Sequence, residues 1–347
     1  MIVAVDIRFA VEDYRNFIFK IFDRITKRNP QHSFLFICYE TYDSSLFFSE
    51  NVIPVVIKSA KIPLLTQVLT DKKVAAVLKR YKAEVFVTPT FIPLTNVPQC
   101  LIYNKNISEK ILNKAKAIVT PSVFSKNNII ENYKIKTDKI DVVHAACDED
   151  FQPVDFIERE KIKEEYTGGN EYFLYKEENT SLDNLLNLLK AFSLFKKRQK
   201  SNMQLLIASQ YQINPSFLKQ LNLYKFKNAV KTYNSISKSE LVKITAGAYA
   251  AIYFTNANSF YFSPIEGLRC DVPVIINDTE VCRELCGDAA LYVNPADNSN
   301  IGEKMMMIFK DEKLRSALIN MGEKQAKKYT WDTAAEHLLQ SIEKAVK

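Results

Sequence analysis

Glycine is unusually scarce in this sequence. The 347 residues contain seven glycines, and none of them precedes Gly168. An average protein has about 7% glycine, so the first half of the chain must form its turns with other residues. The absence excludes a GxGxxG or GxxxxGK phosphate-binding loop from that half, because such loops need glycine where the backbone approaches the phosphates.

Long apolar runs and paired cysteines are also missing. No run approaches the roughly 20 apolar residues of a membrane-spanning helix. Asp6 and Arg8 interrupt the apolar start of the chain, whereas the core of a signal peptide contains no charged residues. We therefore expect a cytoplasmic protein, with peripheral contact at the inner face of the membrane as a further option. The six cysteines form no CxxC pair, and no histidine lies near Cys282 and Cys286, so no metal site is predicted.

The formal net charge of +7 is unevenly distributed. Residues 1–150 hold 21 Lys and Arg against 16 Asp and Glu, and the remainder holds 26 against 24. A basic first half suits an anionic partner or an anionic membrane surface, although a solvated surface with excess lysine is the simpler interpretation. The charges are scattered rather than clustered, and nucleic-acid binding is not predicted.

The first 150 residues alternate between short apolar runs and helical periods. Residues 2–7 form a nearly continuous apolar run, as a buried strand does, and the apolar residues between Tyr14 and Ile25 recur at helical spacing. Further strands are predicted at 34–39, 53–57, 84–88, 100–103, 117–120 and 140–144, with helices near 71–81, 107–115 and 122–133. This alternation predicts a parallel sheet covered on both faces.

A second alternation follows a lapse in the pattern. Residues 151–170 are charged, carry Pro153 and end near the chain's only Gly-Gly pair, so we predict a linker there. Over 171–330, strands are predicted at 172–175, 203–209, 229–233, 249–254, 272–276 and 289–293. Ser237 and Glu240 form a capping-box pattern at a helix start, and the last helix, 331–347, is expected to pack back on the first domain. The sequence thus predicts an α/β protein of two doubly wound, Rossmann-like domains facing a central cleft, with ligands at the C-terminal ends of the strands.

Two stretches carry a family resemblance. SPIEGLRCDVPVIINDTEVCRELCGDAALYVNP, residues 263–295, is similar to the pattern P-L-E-A-M-A-C-G-x-P-V, then E-x-x-G-D-A-A, then V-x-P of the retaining glycosyltransferases of family four, in the glycosyl transferases group 1. Residues 114–153 resemble the segment of the same family that ends in V-x-x-D-x-x-F-x-P. The matching positions are Ser122, Ser125, Ile140, Asp148, Phe151, Pro153, Pro264, Glu266, Cys270, Pro273, Val274, Glu284, Gly287, Asp288, Ala289, Ala290 and Pro295.

The resemblance implies a GT-B fold and transfer of a hexose in cell-surface glycan biosynthesis. A UDP- or GDP-linked nucleotide-sugar donor is expected on the C-terminal domain, and a saccharide or lipid-linked acceptor on the N-terminal one. Anomeric configuration would be retained, with the leaving phosphate as base. No metal or other cofactor is expected, because basic side chains and a helix N-terminus take the diphosphate charge in this family.

The resemblance also assigns site residues. Glu266 matches the second glutamate of the family's Glu-x7-Glu motif, whose carboxylate accepts two hydroxyl hydrogen bonds from a ribose; a solvated glutamate at a helix start is the alternative. The first glutamate of the motif falls at Asn258, which keeps hydrogen-bonding capacity but no charge. The expected catalytic positions are Asn258 and Glu266, and the expected donor-binding positions are Lys176, Glu266, Thr279 and Glu280.

Several positions depart from the family pattern. Glu178 and Asp183 align with the arginine and lysine that neutralise the diphosphate, and Lys176 or Lys190 would have to replace them. A charge pair at 4 Å is worth roughly 1 kcal/mol in water and about 4 kcal/mol at an effective dielectric of 20, so two reversals weaken donor binding substantially. Two hypotheses follow: an active hexosyltransferase, or a non-catalytic homologue that serves as a subunit or binding module.

Overall fold

The protein folds as two compact α/β units. The computed structural model describes residues 1–8, 12–39, 49–58, 66–103, 107–178, 181–255 and 263–347. Among the described residues, the first unit comprises Met1–Ala146 and Thr330–Lys347, and the second comprises 147–255 and 263–329. Each unit is built on one parallel sheet, most of whose strands are joined through helices, which confirms the prediction of two doubly wound, Rossmann-like domains.

The first unit contains a seven-stranded parallel sheet in the order β3-β2-β1-β4-β5-β6-β7. Its strands are β1 (Ile2–Asp6), β2 (Ser33–Cys38), β3 (Val52–Val56), β4 (Val85–Thr88), β5 (Gln99–Ile102), β6 (Ala117–Thr120) and β7 (Ile140–Val142). The helices between them are α1 (Glu12–Arg28), α2 (Thr66–Arg80), α3 (Glu109–Lys114) and α4 (Val123–Tyr133). Along β1, Val3 and Val5 join the cluster that α1 covers, whereas Ala4 joins the cluster on the opposite face with α2, so the strand is buried on both sides.

The second unit contains a six-stranded parallel sheet in the order β10-β9-β8-β11-β12-β13. Its strands are β8 (Tyr172–Lys176), β9 (Gln204–Ala208), β10 (Val230–Tyr233), β11 (Ala250–Tyr253), β12 (Val274–Asn277) and β13 (Ala290–Val293). Its helices are α5 (Phe156–Thr167), α6 (Leu182–Gln199), α7 (Pro215–Asn222), α8 (Lys238–Ala246), α9 (Pro264–Arg269), α10 (Glu280–Cys286), α11 (Asn298–Lys310) and α12 (Glu312–Ala326). The predicted capping box at the start of α8 is present, with Ser237 and Glu240 bonded reciprocally.

The final helix, α13 (Trp331–Val346), belongs to the first unit and packs against α1. The rings of Phe17 and Trp331 lie 6.4 Å apart between the two helices. Arg24 and Arg28 each approach Asp332, at 3.0 and 2.9 Å. Apolar contact and ion pairs therefore fix the end of the chain on the unit that contains its beginning.

The segment expected to be a linker, residues 151–170, instead contains α5. The helix begins after Asp155, whose side chain accepts a hydrogen bond from the Glu158 backbone amide, and it ends at Gly168. The helix has a weak amphipathic periodicity, because Phe156 is 75% exposed, whereas Lys163 is buried and paired with Glu160 and Glu171. A buried ion-paired lysine and an exposed phenylalanine invert the usual amphipathic pattern. The sequence of this helix therefore resembles that of a charged linker.

Two turns of the first unit use lysine where a left-handed backbone is needed. Lys82 has φ of 53° after α2, and Lys134 has φ of 51° at the C-cap of α4. In the second unit, Gly168 takes the equivalent role at the end of α5, with φ of 64°. Glycine is the residue that adopts this conformation without steric penalty, but lysine adopts it in both units, since Lys200 caps α6 of the second unit with φ of 50°.

Candidate functional site

The second sheet changes direction between β8 and β11. From β8 the chain adds β9 and β10 on one side, then returns to add β11, β12 and β13 on the other. Ligands of open α/β sheets bind at such a switch point, outside the C-terminal ends of the strands. Lys176 is the last residue of β8 and Tyr253 is the last residue of β11, so both stand at this position.

Four residues form what we call the Lys176 cluster: Lys176, Glu178, Ser263 and Glu266. The ammonium Nζ of Lys176 donates to Oε1 and Oε2 of Glu266, at 2.9 and 2.8 Å, and to Oγ of Ser263 at 2.9 Å. It also lies 3.1 Å from Oε1 of Glu178. The Ser263 hydroxyl in turn donates a hydrogen bond to Glu178 Oε1. One ammonium group thus joins the end of β8 to the start of α9.

Burial and charge act in opposite directions on this cluster. The Lys176 side chain is 4% exposed, and this burial by itself lowers its pKa because the charged form loses water. The carboxylates of Glu266 and Glu178 outweigh the burial, and the pKa of Lys176 is raised above its ordinary value. The ammonium therefore stays charged at neutral pH, in the paired state that a buried charge requires.

The hydroxyl of Tyr253 is buried beside the cluster. Burial raises the pKa of this phenol, and the negative charge of Glu266 raises it further. Among the described residues its hydroxyl oxygen has no hydrogen-bond partner. An unsatisfied buried hydroxyl is unfavourable by about 1–3 kcal/mol, so this side chain offers a hydrogen bond at the switch point.

The structure brings two of the predicted site residues together and places the others separately. Lys176 and Glu266 are in direct contact. Thr279 and Glu280 follow β12 at the same edge of the sheet, where the Thr279 hydroxyl accepts a hydrogen bond from the Cys282 amide and so caps α10. Glu280 is exposed in the first turn of that helix. Asn258 lies outside the described residues.

Glu266 is completely buried, with an exposed fraction of 0%. The alternative of a solvated glutamate at a helix start is therefore wrong. The sequence from Ser263 to Glu266 fits a capping box, but the side chain of Ser263 makes no capping hydrogen bond to α9. Both side chains contact Lys176 instead. The capping-box pattern predicts a contact within α9, but Ser263 and Glu266 bind a residue about 90 positions earlier in the chain.

The two acidic replacements of basic family positions differ in their surroundings. Glu178 belongs to the Lys176 cluster and is 31% exposed. Asp183 is exposed in the first turn of α6, where a negative charge favours the helix dipole. Lys190 is exposed on the same helix. Of the two lysines considered as replacements, Lys176 is the one that lies at the switch point.

The first sheet has a separate polar cluster at its own switch point, between β1 and β4. Arg8 donates from Nε and Nη2 to the two carboxylate oxygens of Asp6, each at 2.7 Å. The Thr88 hydroxyl, at the end of β4, donates to Asp6 Oδ2 at 3.2 Å, and Tyr14 donates to the Asp6 carbonyl at 3.0 Å. Burial lowers the pKa of Arg8, but Asp6 outweighs this effect and the pKa is raised. We call this group the Asp6 cluster; the sequence showed its two charges only as an interruption of an apolar run.

Neither a metal centre nor a membrane span is found in the part of the chain that the structure describes. No three His, Cys, Asp or Glu side chains of that part gather closely enough to hold a metal ion. No helix within the described ranges combines the length and the apolar character that crossing a bilayer requires.

The family model "Glycosyl transferases group 1" matches residues 156–325, from the first residue of α5 to the end region of α12. The match contains the whole Lys176 cluster. The O-antigen chain mannosyltransferase B of Escherichia coli is 24% identical over 259 residues, which cover 74% of this chain and 67% of that protein. The O-antigen chain mannosyltransferase RfbU of Salmonella typhimurium is 26% identical over 200 residues, which cover 57% of this chain and about half, 52%, of that protein.

Solved structures show the same fold at low sequence identity. A glycosyltransferase from Rickettsia africae superposes with a TM-score of 0.81 at 18% identity, covering 100% of this chain and 98% of that one. Anabaena Alr3699/HepE in complex with UDP and glucose superposes with a TM-score of 0.72 at 12% identity, covering 98% and 99%. The architecture is therefore GT-B.

Proposed function

This chain is a GT-B glycosyltransferase of the group 1 superfamily, and from that premise we propose that it transfers a hexose from a nucleotide-sugar donor to a saccharide acceptor in cell-surface glycan biosynthesis. The names of the two bacterial relatives favour mannose as the hexose and an O-antigen chain as the acceptor. A lipid-linked form of that acceptor fits the same chemistry. The first unit is the proposed acceptor-binding half.

The Lys176 cluster is the observation that carries this proposal. It lies at the switch point of the second sheet and inside the family match. In the proposed complex, the Lys176 ammonium faces the donor diphosphate, where its charge stabilises the negative charge that develops on the leaving group. Glu266 holds that ammonium with both oxygens and is the proposed acceptor for ribose hydroxyls.

The proposed reaction breaks the bond between the anomeric carbon and the phosphate oxygen and forms a bond from that carbon to an acceptor hydroxyl oxygen. The acceptor proton passes to the departing phosphate, so no side chain needs to serve as base. Attack on the face that the phosphate leaves would retain the anomeric configuration. Neither step needs a metal ion if Lys176 supplies the counter-charge, as proposed.

A nucleotide-binding screen tests the proposal. We expect GDP, UDP or one of their sugar conjugates to raise the melting temperature, because a ligand at 100 times its Kd adds about 2.7 kcal/mol, or several degrees for units of this size. The nucleotide sugar that binds would then be supplied with an O-antigen-type saccharide, and release of the nucleoside diphosphate would be measured.

Three lysine variants make the screen specific to the site. Lys176→Met is expected to lose the nucleotide-induced shift. Lys219→Met, on exposed α7, removes an equal charge and should keep the shift. Lys190→Met tests the other candidate and should also keep it. Absence of any shift in the wild-type protein would contradict the proposal and favour a non-catalytic homologue.

A further inference from the structure

We propose that Glu178 is a built-in competitor of the donor: its carboxylate occupies the position beside Lys176 and Ser263 that a phosphate oxygen of the donor takes when it binds. The inference rests on the proposed function, since it concerns the anion-binding part of the same site. It makes Glu178 a determinant of donor affinity rather than a catalytic residue.

The contacts of Glu178 are those that a phosphate oxygen would make. Its Oε1 lies 3.1 Å from the Lys176 ammonium and accepts a hydrogen bond from the Ser263 hydroxyl. An ammonium and a hydroxyl converging on one anionic oxygen are a common arrangement for binding phosphate or carboxylate. The side chain therefore fills the anion position with an anion of its own.

The two carboxylates of the cluster are held unequally. Glu266 is 0% exposed and accepts from Lys176 with both oxygens. Glu178 is 31% exposed and approaches Lys176 with one oxygen. Moving Glu178 away returns its charge to water, whereas moving Glu266 would leave a charge buried. The structure thus contains one fixed carboxylate that holds the lysine and one that can be exchanged.

Charge balance explains why a phosphate would replace Glu178 rather than join it. Two carboxylates contact one ammonium, so an anion arriving there meets two negative charges beside the single positive one. The adjacent Glu177 is also buried and accepts a hydrogen bond from Ser209 at 3.2 Å. A diphosphate added to this group would be repelled by like charges unless Glu178 left first. The wild-type affinity for the donor is consequently lowered by the need to displace this side chain.

The test compares Glu178→Gln with the wild-type protein by isothermal titration calorimetry, using UDP and GDP and the matching nucleosides uridine and guanosine as probes. Gln keeps the size of the side chain and removes its charge. We expect Kd for the bound nucleoside diphosphate to fall at least 10-fold in Glu178→Gln, with little change for the nucleoside. Glu303→Gln, which removes an equal charge from the exposed face of α11, should change Kd less than 2-fold.

Each other outcome has a distinct meaning. If wild type and Glu178→Gln bind the diphosphate equally, or if Glu303→Gln gains as much, the competitor role of Glu178 is overturned and the proposed function stands. An equal gain for the nucleoside would also overturn it, because the gain would not come from the phosphates. If neither protein binds a nucleotide, although melting curves show that both are folded, the proposed function and this inference both fail. If only Glu178→Gln binds a nucleotide, the competitor role is supported, and the wild-type chain is a non-catalytic homologue rather than a transferase.

Discussion

The two units share a doubly wound architecture but are built from different residues. All seven glycines belong to the second unit, and the first unit forms its turns without any. Left-handed positions that glycine would fill are occupied there by Lys82 and Lys134. An L-residue in that conformation is disfavoured by roughly 1–2 kcal/mol. The comparison teaches that both units tolerate this penalty at individual turns, since Lys200 takes the same conformation in the second unit. Glycine is used in the second unit where close packing leaves no room for a side chain, as at Gly247 beside Ile162.

The charges at the two switch points differ as well. In the Asp6 cluster, one guanidinium binds one carboxylate through two parallel hydrogen bonds from residues two apart in the chain. In the Lys176 cluster, one ammonium is shared by two carboxylates, one of which lies 90 residues away. The Asp6 cluster pairs the cation with both oxygens of one carboxylate, as a structural ion pair does. The Lys176 cluster has an exchangeable carboxylate, as a ligand site requires.

The largest predicted effect is the removal of Arg8. Arg8→Met leaves the Asp6 carboxylate buried without its cation, and breaking one side of such a pair is expected to destabilise the first unit by about 3–5 kcal/mol. Urea unfolding followed by circular dichroism measures this. The double variant Asp6→Asn/Arg8→Met removes both charges and should recover most of the loss. A loss below about 1 kcal/mol in the single variant would mean that the pair is not a structural element.

A smaller effect is predicted for Glu266→Gln. Lys176 loses its buried carboxylate but keeps Glu178, so we expect the second unit to lose about 1–3 kcal/mol, less than the first unit loses with Arg8→Met. The same unfolding experiment measures it, with Glu178→Gln as the matched control, whose loss should stay below about 1 kcal/mol because that carboxylate is partly exposed. Glutamine is preferable to alanine here, because alanine would also create a cavity. Equal losses in the two glutamine variants would contradict the distinction between a fixed and an exchangeable carboxylate.

The architecture could be predicted from the sequence because most strands are buried on both faces. Buried parallel strands are short continuous apolar runs, and the run at 117–120 coincides with β6 while others differ by one or two residues at their ends. The helix α5 escaped prediction because its buried Lys163 and exposed Phe156 reverse the pattern on which periodicity depends. An ion pair formed in the folded state, here to Glu171, cannot be seen in the sequence around it.

The candidate site was also predictable only in part, because its ion pairs join residues that are distant in the sequence. Lys176 and Glu266 were both predicted as site residues through the family resemblance, but their contact depends on the order of strands β8 and β11 in the sheet. The sequence at Ser263 suggests a local cap, whereas the folded chain gives its hydroxyl a distant lysine and glutamate. Roles at a single position can be inferred from a motif; the partner of a buried charge follows from topology.

The smallest predicted effect concerns a glycine that the first unit lacks. Lys134→Gly removes the steric penalty of a left-handed residue at the end of α4, about 1–2 kcal/mol, while increased freedom of the unfolded chain offsets about 0.4–1 kcal/mol of the gain. The net expectation is a stabilisation of about 0.5–1 kcal/mol, or a rise of a few degrees in Tm, measured by differential scanning calorimetry. The side chain is exposed, so no packing is lost.

Lys136→Gly is the matched control for this last change. Lys136 is an exposed lysine two residues later, but its backbone is extended, with φ of −60° and ψ of 133°. Glycine there gains no steric relief and adds only unfolded-state freedom, so this variant should be less stable than the wild-type protein. If Lys134→Gly were no more stable than Lys136→Gly, the left-handed lysines would carry no penalty in this unit. The absence of glycine from the first half of the chain would then have no consequence for its stability.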